Sequence, residues 1–182
     1  MKRILIPLIA LTGLFASCKK SSSSPSIPPG ISATLNGTSK NFSVGAIASK
    51  GHSAVTSYIE IGGAVSLTTG ESILISLTNG LSGGVDSLVV GTYSDTSTRF
   101  TVNLTYTISN SNNDDYEGGS YVDGSQVPGI AVTDHLTVVI SSITSTAITG
   151  TFSGNLYLQG VAPGTGAPWP ISGTFNAPLP QQ

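Results

Sequence analysis

Phe100, Val102, Leu104, Tyr106 and Ile108 alternate without a break with Thr101, Asn103, Thr105 and Thr107. A strand turns successive side chains to opposite faces, so a period of two describes a sheet with one buried and one wetted side. A helix would scatter the same apolar residues around its circumference and bury none of them well. The pattern returns at Ile148, Gly150, Phe152, Gly154, Leu156 and Leu158, separated by Thr149, Thr151, Ser153, Asn155 and Tyr157. The two glycines on its inward face mark bends, bulges or close backbone approach. Apolar runs at 73–77 and 136–140 read as strands buried more fully. Further strands are expected at 31–35, 42–48, 54–61, 86–93, 116–121 and 170–175.

Turn signals separate these segments: Asn36-Gly37, Lys50-Gly51, Gly62-Gly63 and Thr69-Gly70, then Asn79-Gly80, Gly83-Gly84 and Gly118-Gly119. Asn and Gly tolerate the positive φ that tight turns demand. Only 9% of residues are charged, and Gly, Ser, Thr, Val and Ile dominate the remainder. The expected fold is all-β, an antiparallel β-sandwich or flattened barrel of about 8–10 strands with little or no helix. Strand order is not legible in these patterns.

The amino terminus says where such a domain is held. Lys2 and Arg3 precede an apolar run from Ile4 to Phe15, followed by Ala16, Ser17 and the sole cysteine, Cys18. The run falls short of the roughly 20 apolar residues that a spanning helix needs. A basic start, a short apolar stretch and small residues before the cut describe a signal peptide. A cysteine at this position is the lipidation site of bacterial lipoproteins, so residues 1–17 read as leader and Cys18 as the anchored residue. Lipidation consumes the only thiol, which excludes a disulfide and a catalytic cysteine from the domain. Two or more acyl chains attach a protein stably, at about 0.8 kcal/mol per buried CH₂.

Residues 18–30, rich in Ser and Pro, read as a tether, with Lys19 and Lys20 beside anionic headgroups. At about 3.3 Å per residue it reaches roughly 40 Å when stretched. Residues 31–182 form one domain. After the tether the basic residues are Lys40, Lys50 and Arg99 against nine acidic ones, which excludes nucleic acid as a partner.

Asn112, Asp114, Asp115 and Glu117 form the densest set of hard oxygens, the kind of donor that Ca²⁺ takes six to eight of. The spacing is not that of an EF-hand, and a solvated hairpin tip explains the same residues. No other cofactor is expected beyond the lipid on Cys18. His52 reads as an exposed turn residue. Asp134 and His135 are strand neighbours, which point to opposite faces and do not converge on one ion. No Gly-x-Ser-x-Gly elbow occurs, and nothing in the spacing of Asp86, Asp95, Asp114, Asp115, Glu117 and Asp123 selects a glycosidase pair. Trp169, between Pro168 and Pro170, either stacks on a sugar or partner together with Tyr116 and Tyr121, or caps one end of the core.

Several segments together resemble uncharacterised lipoproteins of Bacteroidetes. They are Ser17-Cys18-Lys19-Lys20, Ala33-Thr34-Leu35-Asn36-Gly37, residues 88–94, 136–143 and 148–154, and the closing 171–179. The resemblance implies a β-sandwich-like domain in a Gram-negative envelope and carries over no functional residue. Surface-exported lipoproteins of that phylum often carry an acidic run after the cysteine. Lys19, Lys20 and serines stand here instead, which favours the periplasmic face of the outer membrane over the cell surface. The expected function is a non-enzymatic, lipid-anchored binding or structural domain whose partner is an envelope protein or a glycan. A carbohydrate-active hydrolase and an adhesin or fibre subunit joined through sheet edges are the rivals.

Overall fold

The computed structural model describes residues 28–79, 87–97, 99–108, 115–120, 135–159 and 167–180. Asn36 and Gly37 take φ of 44° and 81° between the paired residues Leu35 and Thr38. That two-residue turn matches the twist of its flanking strands, and it joins β1 (Gly30–Leu35) to β2 (Thr38–Phe42). β3 (Val44–His52) and β4 (Ser57–Ala64) follow as a hairpin. Its loop is held by Ser53, whose Oγ accepts the amides of Val55 and Thr56 at 3.2 and 3.0 Å. That turn is why the strand expected from 54 begins only at Ser57. The remaining strands are β5 (Ser72–Asn79), β6 (Gly91–Ser94), β7 (Thr101–Thr107) and β8 (Asp115–Gly119). β9 (Thr137–Ile143), β10 (Ala147–Leu158) and β11 (Trp169–Pro178) complete the set.

All pairings are antiparallel, and the described residues contain no helix. The main path runs β2-β1-β11-β10-β8-β7-β5-β4-β3, with β9 and β6 branching from β10. β2 and β3 lie at opposite ends of this path, yet only Ser43 separates Phe42 from Val44 in the chain. The sheet is therefore nearly closed into a barrel, with a one-residue corner at its seam. This corner splits the single strand expected over 42–48 and raises the number of strands to eleven among the described residues.

β10 serves two neighbours on one edge. Ile148 to Ser153 pair with β9, while Tyr157 and Leu158 pair with β8. At the fork, a Cβ on Gly154 would press on Leu136 and the carbonyl of His135, and one on Gly118 on the carbonyl of Asn155. Three predicted turns prove to be strand glycines: Gly51 in β3, Gly63 in β4 and Gly118 in β8. Each lies under a neighbouring strand, Gly51 beneath the Tyr58 ring and Gly63 against the Phe42 carbonyl.

Ile31, Phe42, Ile59, Ile61, Ile75, Leu77, Val102, Leu104, Val138, Ile140 and Ile148 form the buried interior. Removing each large aliphatic side chain from water contributes about 1.5–3 kcal/mol. β5 and β9 alternate rather than being buried on both faces. Leu74 is 45% exposed between buried Ile73 and Ile75.

Candidate functional site

Cross-strand register builds the aromatic end of the barrel. Tyr106 of β7 stands opposite Tyr116 of β8, and Leu156 of β10 stands opposite Trp169 of β11. The Trp169 and Tyr116 rings stack, with centroids 4.1 Å apart and planes at 26°. Tyr116 leans on Tyr106 at 6.3 Å, and Tyr106 meets Phe42 edge-on at 6.1 Å. Trp169 is half-buried and packs against the core, so its position is that of a cap with one face already occupied.

The same end carries an ion pair. Tyr106 donates its hydroxyl hydrogen to Glu71 Oε1 at 2.6 Å, and Lys40 Nζ lies 2.5 Å from that oxygen. Burial raises the Glu71 pKa, but the hydrogen bonds from Lys40 and Tyr106 and the Lys40 charge outweigh it, leaving the carboxyl below its ordinary 4.5. Burial and the Glu71 carboxylate push the Tyr106 phenol well above the usual tyrosine range. The alternation in the sequence marks Tyr106 as a core residue of its strand, and no sequence signal singles out Glu71 or Lys40. The three come from β7, the β4–β5 connection and β2, and only the barrel brings them together.

Of the calcium candidates, Asp115 and Glu117 are described, while Asn112 and Asp114 lie outside the described residues. Asp115 and Glu117 flank Tyr116 on β8 and therefore point away from the aromatic end. Glu117 accepts a hydrogen bond from Gln159 Nε2 at 3.2 Å. Its pKa is raised by burial and by the neighbouring Asp115 charge. Among the described residues no group of three or more His, Cys, Asp or Glu side chains gathers. Cys18, Tyr121, Asp86, Asp123 and Asp134 also lie outside the described residues.

His135 finds a partner that its sequence neighbourhood did not suggest. Its Nδ1 lies 3.2 Å from Oδ1 of Asp95, whose other oxygen accepts the Leu136 amide at 2.9 Å. Asp95 is buried, and its own amide donates to the Leu136 carbonyl at 3.2 Å, so the carboxylate pins the start of β9 beside the end of β6. His52 is exposed at the end of β3, beside a hollow of about 400 Å³ shared with Lys50, Tyr58 and Ser87.

Compared with protein-family models, curated proteins and solved structures, the chain matches none.

Proposed function

We propose that this chain is a lipid-anchored lipoprotein of a Gram-negative envelope, of the Bacteroidetes kind, whose all-β domain binds or supports another envelope component without doing chemistry itself. The observation that carries the reading is the basic, apolar, small-residue leader ending at the sole cysteine, Cys18. The Ser- and Pro-rich stretch after it gives the domain reach from the bilayer. Two of the acids have structural partners: Glu71 serves Lys40 and Tyr106, and Asp95 serves the Leu136 amide and His135. Lys19 and Lys20 after the cysteine favour the periplasmic face of the outer membrane.

Detergent phase partition of the full chain and a Cys18→Ala variant, made in a Gram-negative host that processes lipoproteins, tests the anchor. The wild type enters the detergent phase and the variant stays aqueous. Equal partition of both would remove the anchor. Protease shaving of intact and opened cells then reads the side: protection until the envelope is opened is the result for a periplasmic domain.

A further inference from the structure

The outer face of β2, β1, β11 and β10 forms a shallow trough of about 780 Å³. Its floor is laid out in rows by strand register. One row reads Asn41, Ser32, Thr174 and Thr151, and the next reads Ser39, Thr34, Ser172 and Ser153. All eight side chains are exposed, and among the described residues none hydrogen-bonds to another protein group. Rows two residues apart lie about 6.8 Å from each other, and strands about 4.8 Å.

We infer that this trough binds a neutral polysaccharide. A sugar hydroxyl both donates and accepts, and it is best met by groups that do the same. Serine and threonine hydroxyls rotate to either role. The trough's one charged side chain, Lys40, is held by Glu71, so its lining offers no unpaired positive charge to favour a phosphate or carboxylate ligand over a neutral one. It also lacks an exposed aromatic or arginine, the side chains that anchor protein partners, since its only ring, Phe152, is 3% exposed. A rigid crystalline surface does not fit either. Adjacent strands are rotated by roughly 20–25°, so three steps turn the rows by about 70°. A flexible chain follows that turn. Individual hydroxyl contacts are weak, so binding strengthens with polymer length. This site is separate from the Trp169 end, and the inference stands whether or not Cys18 is lipidated.

Native gels of the detergent-solubilised full chain, cast with dextran, amylose, galactomannan or xyloglucan, test it, with polygalacturonate as the anionic control. At least one neutral polymer retards the protein and polygalacturonate does not. The triple variant Thr34→Val, Thr151→Val, Thr174→Val keeps the branched shapes that strands favour and removes three hydroxyls. It weakens retardation about tenfold or more. Ser32→Ala with Ser172→Ala weakens it as well and guards against a folding defect in the first variant. Trp169→Ala leaves retardation unchanged. Retardation by none of the four neutral polymers overturns the inference, as does retardation that both hydroxyl variants retain. Self-association that the valine variant abolishes, without any polysaccharide binding, would assign the face to a second copy instead.

Discussion

The Trp169 indole lies stacked on the Tyr116 ring at 4.1 Å, and these two residues sit on strands that flank β10 from opposite sides. The stack therefore bridges three strands at one end of the barrel. Trp169 is the only tryptophan, so its fluorescence reports this end alone. Tyr116→Ala uncovers one face of the indole. Its emission shifts to the red, and urea unfolding registers a loss of about 2 kcal/mol. An unmoved emission maximum would place the indole elsewhere.

Glu71 makes the domain acid-sensitive. Its folded pKa is below 4.5, so the unfolded chain takes up the proton first as pH falls. The stability it contributes is present above about pH 5 and is lost as pH drops through the folded value. Lys40→Met removes the main partner and flattens the acid limb of a plot of melting temperature against pH. A limb unchanged by the substitution would show that the pair contributes nothing.

Tyr106 and Glu117 carry the opposite sign. Each folded group holds its proton more tightly than the unfolded chain does, through burial and a nearby carboxylate. The Tyr106 contribution is complete below pH 10 and is lost as pH rises beyond it. Tyr106→Phe therefore unfolds at a higher pH than wild type in an alkaline titration, although it loses about 1 kcal/mol at neutral pH with the Glu71 hydrogen bond. Glu117→Gln is neutral or stabilising at pH 7, where wild type keeps a partly buried charge beside Asp115. Thermal melts at pH 5 and pH 7 read the difference.

Glycines separate by what lies above them. A Cβ on Gly62 finds its nearest neighbours at 3.6 Å, an ordinary contact. Gly62→Ala therefore stabilises by about 0.5 kcal/mol, through the reduced entropy of the unfolded chain. A Cβ on Gly118 meets the Asn155 carbonyl at 2.6 Å and Leu156 at 2.8 Å, where β8 joins the fork. Gly118→Ala loses about 2 kcal/mol or more in chemical denaturation. Equal effects at the two positions would contradict the fork geometry.

Asp95→Ala leaves the Leu136 amide without its acceptor and lowers stability by about 1–3 kcal/mol. Asp95→Asn keeps an acceptor oxygen and recovers part of the loss. Two variants of identical stability would show that the amide is satisfied some other way.

Those glycines also show what the chain conceals. β7 and β10 were legible because their alternation is local, and Asn36-Gly37 because its turn chemistry lies within two residues. Gly51 and Gly63 looked like turns because the rings and carbonyls that require them, on Tyr58 and Phe42, belong to other strands. β2 is not legible because Thr38, Ser39, Lys40 and Asn41 show no apolar period, and Ser43 turns the seam without a characteristic turn residue. Trp169 and Tyr116 stand out in the sequence as aromatics beside turn-forming residues. Their stacking depends on β10 lying between them, and the Lys40–Glu71–Tyr106 cluster depends on barrel closure. The hydroxyl rows are invisible along any one strand, since each contributes only two alternating residues.

The amino terminus of the mature protein tests the anchored reading most directly. Mass spectrometry of the terminal peptide, after expression of the full chain in a host that processes lipoproteins, should find Cys18 as the first residue. Its sulfur should carry a thioether-linked diacylglycerol and its amine an acyl chain. A mature terminus at another residue, or a free Cys18 thiol behind an intact leader, would contradict the account.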